Sequence, residues 1–259
     1  MHLLIDSDSL LYKAGFVCNQ PDQEKLACWQ LDVLMKDILE TTGTDTYQCY
    51  LSGGANFRYT IYPDYKGNRV DMVRPIHLQA LRQHLVEEWG ATITDGIEAD
   101  DAVVIAQYAG DGDTAIAHVD KDINMAAGKH YNFTKKTWYD VSEQEGMRWF
   151  FHQLILGDKA DNIPGFDGKM RPAYPKKFQG HCDFINESDN YDEMLAHVMT
   201  MYGDWNKFNT SAGCLWMLRK DDDDWTQWQN KELVEELKRE FTTEDFGQLE
   251  DSTALFDPL

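Results

Sequence analysis

Ile97-Glu98-Ala99-Asp100-Asp101, running into Ala102-Val103-Val104-Ile105-Ala106-Gln107-Tyr108, is the stretch whose reading decides the fold. Three carboxylates fall within four residues, directly ahead of a run too apolar for a surface helix. If the helix begins near Glu98, a spacing of three puts Glu98 and Asp101 on one face of its first turn. Asp100 then reaches the same space only from the turn's edge, through water. Acids are also welcome in a first turn because the free N–H groups and the helix dipole favour negative charge there. On this stretch alone, helix capping and cation binding both remain open.

The flanking sequence repeats the pattern. Leu3-Leu4-Ile5 reads as a buried strand ending in Asp6-Ser7-Asp8-Ser9, and the apolar strand Thr114 to Val119 ends in Asp120-Lys121-Asp122. Ligands of open α/β sheets bind just outside such strand ends. Between these strands the spacing predicts a helix over 24–40, a strand over 46–51, a helix from Pro75 to Trp89 and a short strand over 91–94. The alternation of strands and helices indicates an α/β fold with a mostly parallel central sheet flanked by helices. A hairpin or edge pair is expected over 131–140 and a helix over 143–156. That helix runs into Gly157-Asp158-Lys159-Ala160-Asp161-Asn162-Ile163-Pro164-Gly165, where Asp158 and Asp161, three apart, are expected to share the face of a turn. Further helices are predicted over 191–202, 212–218 and 231–241, with Asp221 to Asp224 as a solvated loop and a frayed acidic tail from Thr242. Residues 1–156 are thus expected to form the α/β domain, and 157–259 a smaller helical C-terminal region.

At 259 residues, 42% apolar and 12% aromatic, the chain can bury a full core. No stretch approaches the roughly 20 apolar residues of a membrane span, and the N-terminus lacks the pattern of a signal peptide. Five scattered cysteines without a CxxC read as reduced thiols of a cytoplasmic protein, in the host cytoplasm if the chain is viral. The net charge of −21 argues against general nucleic-acid binding, but it is unevenly spread. Arg58, Lys66, Arg69, Arg74 and Arg82 form one basic group, and Lys169, Arg171, Lys176 and Lys177 a second.

The first basic group starts in a long segment, 53–74, whose glycines, aromatics and spaced cations lack clear periodicity. It reads as a mobile functional loop suited to a phosphate backbone with unstacked bases, or as an ordinary surface loop. The candidate acids Asp6, Asp8, Glu98, Asp100, Asp101, Asp120, Asp122, Asp158 and Asp161 come from element ends all along the chain. So many carboxylates cannot stay ionised at close quarters without cations. Hard oxygen donors suit Mg²⁺ or Mn²⁺, and two such ions roughly 4 Å apart are the usual device for phosphodiester cleavage. Neither a zinc cluster, a Ser/His/Asp triad, a P-loop nor a GxGxxG is found.

Five ordered motifs resemble the 5′-nuclease family of flap endonucleases, polymerase-linked 5′→3′ exonuclease domains and bacteriophage 5′→3′ exonucleases. They are Leu4-Ile5-Asp6, Tyr65-Lys66-Gly67-Asn68-Arg69, Glu98-Ala99-Asp100-Asp101, Asp120-Lys121-Asp122 and the 157–165 segment, together spanning residues 3–168. In its compact size the chain is most similar to the stand-alone phage members. The resemblance implies a metal-dependent nuclease with two ions, Mg²⁺ or Mn²⁺, acting on DNA, or RNA–DNA, with free 5′ ends or flaps. It assigns Asp6, Glu98, Asp100, Asp101, Asp120, Asp122, Asp158 and Asp161 to the metals, with Asp8 as an outer candidate. Lys66 and Arg69 match the cations that grip the scissile phosphate, and Arg58 and Tyr65 match substrate-side neighbours in the arch over 53–74. Two departures stand out. Where many relatives carry an aspartate after the second strand, this chain has Ser52-Gly53-Gly54. The duplex-binding, K⁺-holding hairpin of the family is only loosely echoed by Gly165 to Pro172, which leaves Lys169, Arg171, Lys176 and Lys177 as electrostatic substitutes. A Mg²⁺-dependent phosphatase and a catalytically impaired nucleic-acid-binding homologue are the competing readings.

Overall fold

The computed structural model describes residues 1–110 and 112–242, so the expected frayed tail lies outside the described residues from 243 onward. Strands β1 (His2–Asp6), β2 (Tyr47–Leu51), β3 (Thr92–Ile93), β4 (Thr114–His118), β5 (Gly128–Asn132) and β6 (Thr137–Val141) form one sheet. Their order is β3-β2-β1-β4-β5-β6, parallel throughout except for the antiparallel β6 edge. Around it lie α1 (Asp8–Val17), α2 (Glu24–Thr42), α3 (Arg58–Ile61), α4 (Leu78–Trp89), α5 (Ala99–Ala109) and α6 (Glu143–Leu156). A small hairpin of β7 (Gly157–Asp158) and β8 (Ile163–Pro164) follows, then α7 (Gln179–Glu187), α8 (Tyr191–Tyr202), α9 (Trp205–Leu215) and α10 (Lys231–Phe241).

The period of two along each strand separates the core into two layers. Leu3 and Ile5 of β1, with Ala115 and Ala117 of β4, pack against Leu10, Leu31 and Leu81 of α1, α2 and α4. Leu4 and Ile116 point the other way, into Val103 and Val104 of α5 and Phe150 and Leu154 of α6. That second cluster continues through Leu195, Phe208 and Trp216, so α8 and α9 share one apolar cluster with α5 and α6. Both central strands are covered on both faces, which is why they read as continuous apolar runs.

Several elements depart from the sequence expectation. Helix α1 was not expected, because the acids before it marked only a strand end. Helix α9 starts seven residues before the predicted 212, since Asp204 caps it by accepting the N–H of Lys207 at 3.1 Å. Pro75 sits in a lead-in turn, with Leu78 N–H bonded to its carbonyl at 3.1 Å, and the helix proper begins at Leu78. Half of the acidic run 221–224 is structural: Asp223 accepts from the indoles of Trp216 (3.1 Å) and Trp228 (2.7 Å) and from Arg219 N–H (2.8 Å).

The segment over 157–165 is a hairpin rather than a helical turn. Gly157 has φ +71°, and a Cβ there would collide with the backbone nitrogen of Gly165 and the carbonyl of Ile163. Asp158 and Asp161 consequently do not share a helical face. Asp158 accepts the N–H groups of Ala160 (2.6 Å) and Asp161 (3.0 Å), whereas the Asp161 side chain turns toward residues 65–69. Gly157→Ala should cost at least about 1–3 kcal/mol of unfolding free energy in urea. An unchanged midpoint would show that this tight crossing does not exist.

Candidate active site

A cleft opens at the C-terminal ends of β1 and β4, where the chain crosses from one side of the sheet to the other. Six carboxylates line it: Asp6 from the end of β1, Asp8 from the start of α1, Glu98 and Asp100 from the start of α5, Asp120 after β4, and Asp161 from the β7–β8 loop. Lys66 and Arg69 are the cations in its wall. Asp6 is 6% exposed and, among the described residues, meets no cationic side chain. Burial, then the neighbouring Asp8 and Asp120, push its carboxyl well above the usual range. Burial and the adjacent Glu98 and Asp101 do the same to Asp100. Burial alone would raise Glu98 too, but Lys66 and Arg58 pull it below its ordinary value.

Residues 65–69 are pinned to the hairpin loop. Lys66 adopts a left-handed φ of +54° and donates its N–H to the Asp161 carbonyl at 2.9 Å. Such a conformation persists only where the surroundings hold it. The Lys66 ammonium pairs with Glu98 and lies 3.7 Å from Asp161. Arg69 donates to the Asp161 carboxylate at 2.6 Å and to the Ala160 carbonyl at 3.0 Å. Burial outweighs these cations and leaves the Asp161 carboxyl raised.

Beside this cleft Asp122 and Asp158 form a second acidic pair, bridged by the Lys121 ammonium. Gln153 also donates to Asp122, at 2.5 Å. Burial, then Asp120 and Asp158, push the Asp122 carboxyl up to about 7.

Three residues expected to serve the site belong to the interior instead. Asp101 is 0% exposed and Arg58 1%, and the Arg58 guanidinium meets both Asp101 oxygens at 2.5 and 2.8 Å. Arg58 also donates to the carbonyls of Cys214 and Trp216, each at 2.8 Å, while Asp101 accepts the N–H of Leu218 at 3.2 Å. Asp101 therefore has no oxygen to offer a metal, and Arg58 none of its face to offer a phosphate. The reason is a capping box: Glu98 is the N-cap, so Asp101 folds back onto its N–H at 3.2 Å while Asp100 faces the cleft. Tyr65 is buried as well. Its hydroxyl lies 2.6 Å from Glu98 and 2.7 Å from Asp161 and so ties both acids to the 65–69 segment. Arg171 is paired with Asp167, and Lys169, Lys176 and Lys177 are exposed on the segment after the hairpin, away from the cleft wall. Asp8, an outer candidate by sequence, stands in the wall itself.

The donor set fits a hard divalent cation. Six carboxylates face Lys66 and Arg69 in the cleft, with Arg82 3.8 Å from Asp8 and Arg58 3.6 Å from Glu98, so acid remains in surplus there and a hard divalent cation would offset it. Among the described residues no three acidic, histidine or cysteine side chains are gathered closely enough to hold a metal ion as they stand.

Two predictions follow from these charges. Arg58→Ala should destabilise the fold by about 3–5 kcal/mol in urea, because it strands a buried carboxylate; a surface phosphate contact would leave stability unchanged. The raised carboxyls of Asp6, Asp100 and Asp122 hold protons in the folded state that the unfolded chain has already released. In EDTA, stability should therefore fall as pH climbs from about 4 to about 7. If Mg²⁺ takes the place of those protons, it should raise Tm at pH 7.5 and much less at pH 5. Equal shifts at the two pH values would contradict this.

Comparison with known proteins places this geometry. The family described as "5′-3′ exonuclease, N-terminal resolvase-like domain" matches residues 1–149. A 5′-3′ exonuclease of Bacillus subtilis is 23% identical over 249 residues, covering 84% of this chain and 81% of that protein. DNA polymerase I of Pseudomonas aeruginosa is 27% identical over 130 residues, covering 44% of this chain and only 14% of the polymerase. The bacteriophage T5 flap endonuclease, solved with DNA and metal ions, shares the fold with a TM-score of 0.51 at 17% identity, covering 92% of this chain and all of that one. A second T5 structure, the 5′-exonuclease, gives a TM-score of 0.51 at 14% identity over 93% of this chain and 97% of that one. With its family match running through the whole sheet and every cleft acid but Asp161, the chain belongs to the 5′-3′ exonuclease family.

Proposed function

We propose that this protein is a divalent-metal-dependent nuclease that hydrolyses DNA phosphodiester bonds at free 5′ ends or flaps. The observation that carries the reading is the acidic cleft at the strand ends, faced by Lys66 and Arg69 from a segment pinned against it. Asp6, Glu98, Asp100, Asp120 and Asp161, with Asp122 and Asp158 beside them, are the groups that would hold Mg²⁺ or Mn²⁺. Bound divalent cations supply an activated water and steady the leaving oxygen.

The chain's own cations do the rest. Lys66 and Arg69 enter the cleft among its acids and stabilise the negative charge that builds on the phosphate during in-line attack. Tyr65 fixes Glu98 and Asp161 so that neither acid drifts from its place. The exposed Lys169, Lys176 and Lys177 offer backbone contacts to the duplex next to the cut. On a chain of net charge −21, a nucleic acid is held only where cations are concentrated, so binding should weaken steeply with salt.

The test uses 5′-labelled flap and blunt duplex DNA with Mg²⁺, Mn²⁺ or EDTA. Cleavage is expected only with metal, reduced at least about tenfold in Asp100→Asn and about 100-fold in Lys66→Ala or Arg69→Ala. No cleavage by the wild type in either metal would sink the reading. Hydrolysis of a small phosphate ester that survives Lys66→Ala/Arg69→Ala would favour a phosphatase instead.

A further inference from the structure

We infer that Asp8 supplies the carboxylate that a divalent cation takes from the β2 side of the cleft, an inference that rests on the nuclease reading above. The end of β1 contributes Asp6 and the end of β4 leads into Asp120, but the end of β2 has no acid of its own. Ser52 follows β2 directly, and its hydroxyl oxygen accepts the N–H of Ala99 at 2.9 Å, which commits it to holding the start of α5. Gly53 carries no side chain and has no room for one, since a Cβ there would collide with the carbonyl oxygen of Thr94.

Asp8 occupies that place from the opposite side of the cleft floor. It lies in the first turn of α1, and its two carboxylate oxygens share the N–H of Ser52 at 3.3 and 3.2 Å. Arg82 braces the arrangement: one guanidinium nitrogen donates to the Ser52 carbonyl at 2.7 Å, and another stands 3.8 Å from Asp8. The carboxylate is thus tied to the end of β2 by a backbone N–H. The Ser52 N–H and the Ser52 hydroxyl use part of the roughly four lone-pair positions of the Asp8 carboxylate, and Arg82 stands at its edge. The rest stay in the wall shared with Asp6, Glu98 and Asp100, where Asp6 has no cationic partner among the described residues. An acid held rigidly in a wall already short of positive charge is a donor for an incoming cation.

A purely structural role would tie α1 to β2 through the same N–H, and Asp8→Asn separates the two. Asparagine keeps an oxygen for Ser52 N–H and removes only the charge. Mn²⁺ titration of the full chain by calorimetry, without nucleic acid, should show affinity about tenfold weaker or more in Asp8→Asn, with an unchanged urea midpoint in EDTA. Adding Ser52→Asp to that variant should restore the affinity, because it returns an acid to the end of β2 that can still accept the Ala99 N–H. Wild-type affinity in Asp8→Asn would overturn the inference while leaving the nuclease reading intact. So would weakened binding accompanied by a lowered midpoint and no recovery in the double variant. Absence of Mn²⁺ binding by the wild type would remove both.

Discussion

The buried ion pair between Arg58 and Asp101 is the contact on which the rest of the molecule is hung. Two charges at 1% and 0% exposure are tolerable only because their hydrogen bonds are nearly all met. Those bonds reach four parts of the chain at once: the short α3, the first turn of α5, the carbonyls of Cys214 and Trp216, and the N–H of Leu218. The pair thereby ties the segment that carries Lys66 and Arg69 to the helix that carries Glu98 and Asp100. It also locks both to the C-terminal helices. A catalytic cleft built from loops needs such an anchor, since misplacement by about 1 Å is costly to chemistry.

Next to that neutral anchor the fold gathers charges that do not cancel. Asp6, Asp8, Glu98, Asp100, Asp120 and Asp161 meet because the ends of β1 and β4, the starts of α1 and α5 and the β7–β8 loop come together at the C-terminal ends of the central strands. Burial raises Asp6, Asp100 and Asp161 by making their ionised forms expensive, and their mutual repulsion adds to Asp6 and Asp100. In the second pair Lys121 fills the gap between Asp122 and Asp158, and in the main cleft Lys66 pairs with Glu98. The protein thus stores an electrostatic cost at one place, as active sites commonly do, and a bound divalent cation would relieve it.

Much of this was legible in the chain itself. Apolar runs closed by aspartates marked β1 and β4 and their cleft-side ends, because a strand covered on both faces must be apolar throughout. Helices over 143–156, 191–202 and 231–241 were readable from their spacing and fall where the structure has them. Helix α1 was not legible, since ten residues behind an acidic strand end carry too little periodicity to stand apart from it. The hairpin at 157–165 was misread as a turn because a spacing of three is common to both. Only the collision a Cβ would suffer at Gly157 separates them.

Within the candidate site, residue types and order were set by the sequence: acids at strand ends, cations at 66 and 69, and an acid missing after β2. Which acid faces the cleft was decided by tertiary structure. Glu98, Asp100 and Asp101 are chemically alike and adjacent, yet the capping box turns Asp101 inward onto Arg58, a residue 43 positions away, and leaves Asp100 outside. Asp8 likewise gains its place from Ser52, 44 positions on, which no local pattern announces. Side-chain direction at a helix start depends on which distant partner meets the charge, and the order of residues along a chain does not contain that partner's position.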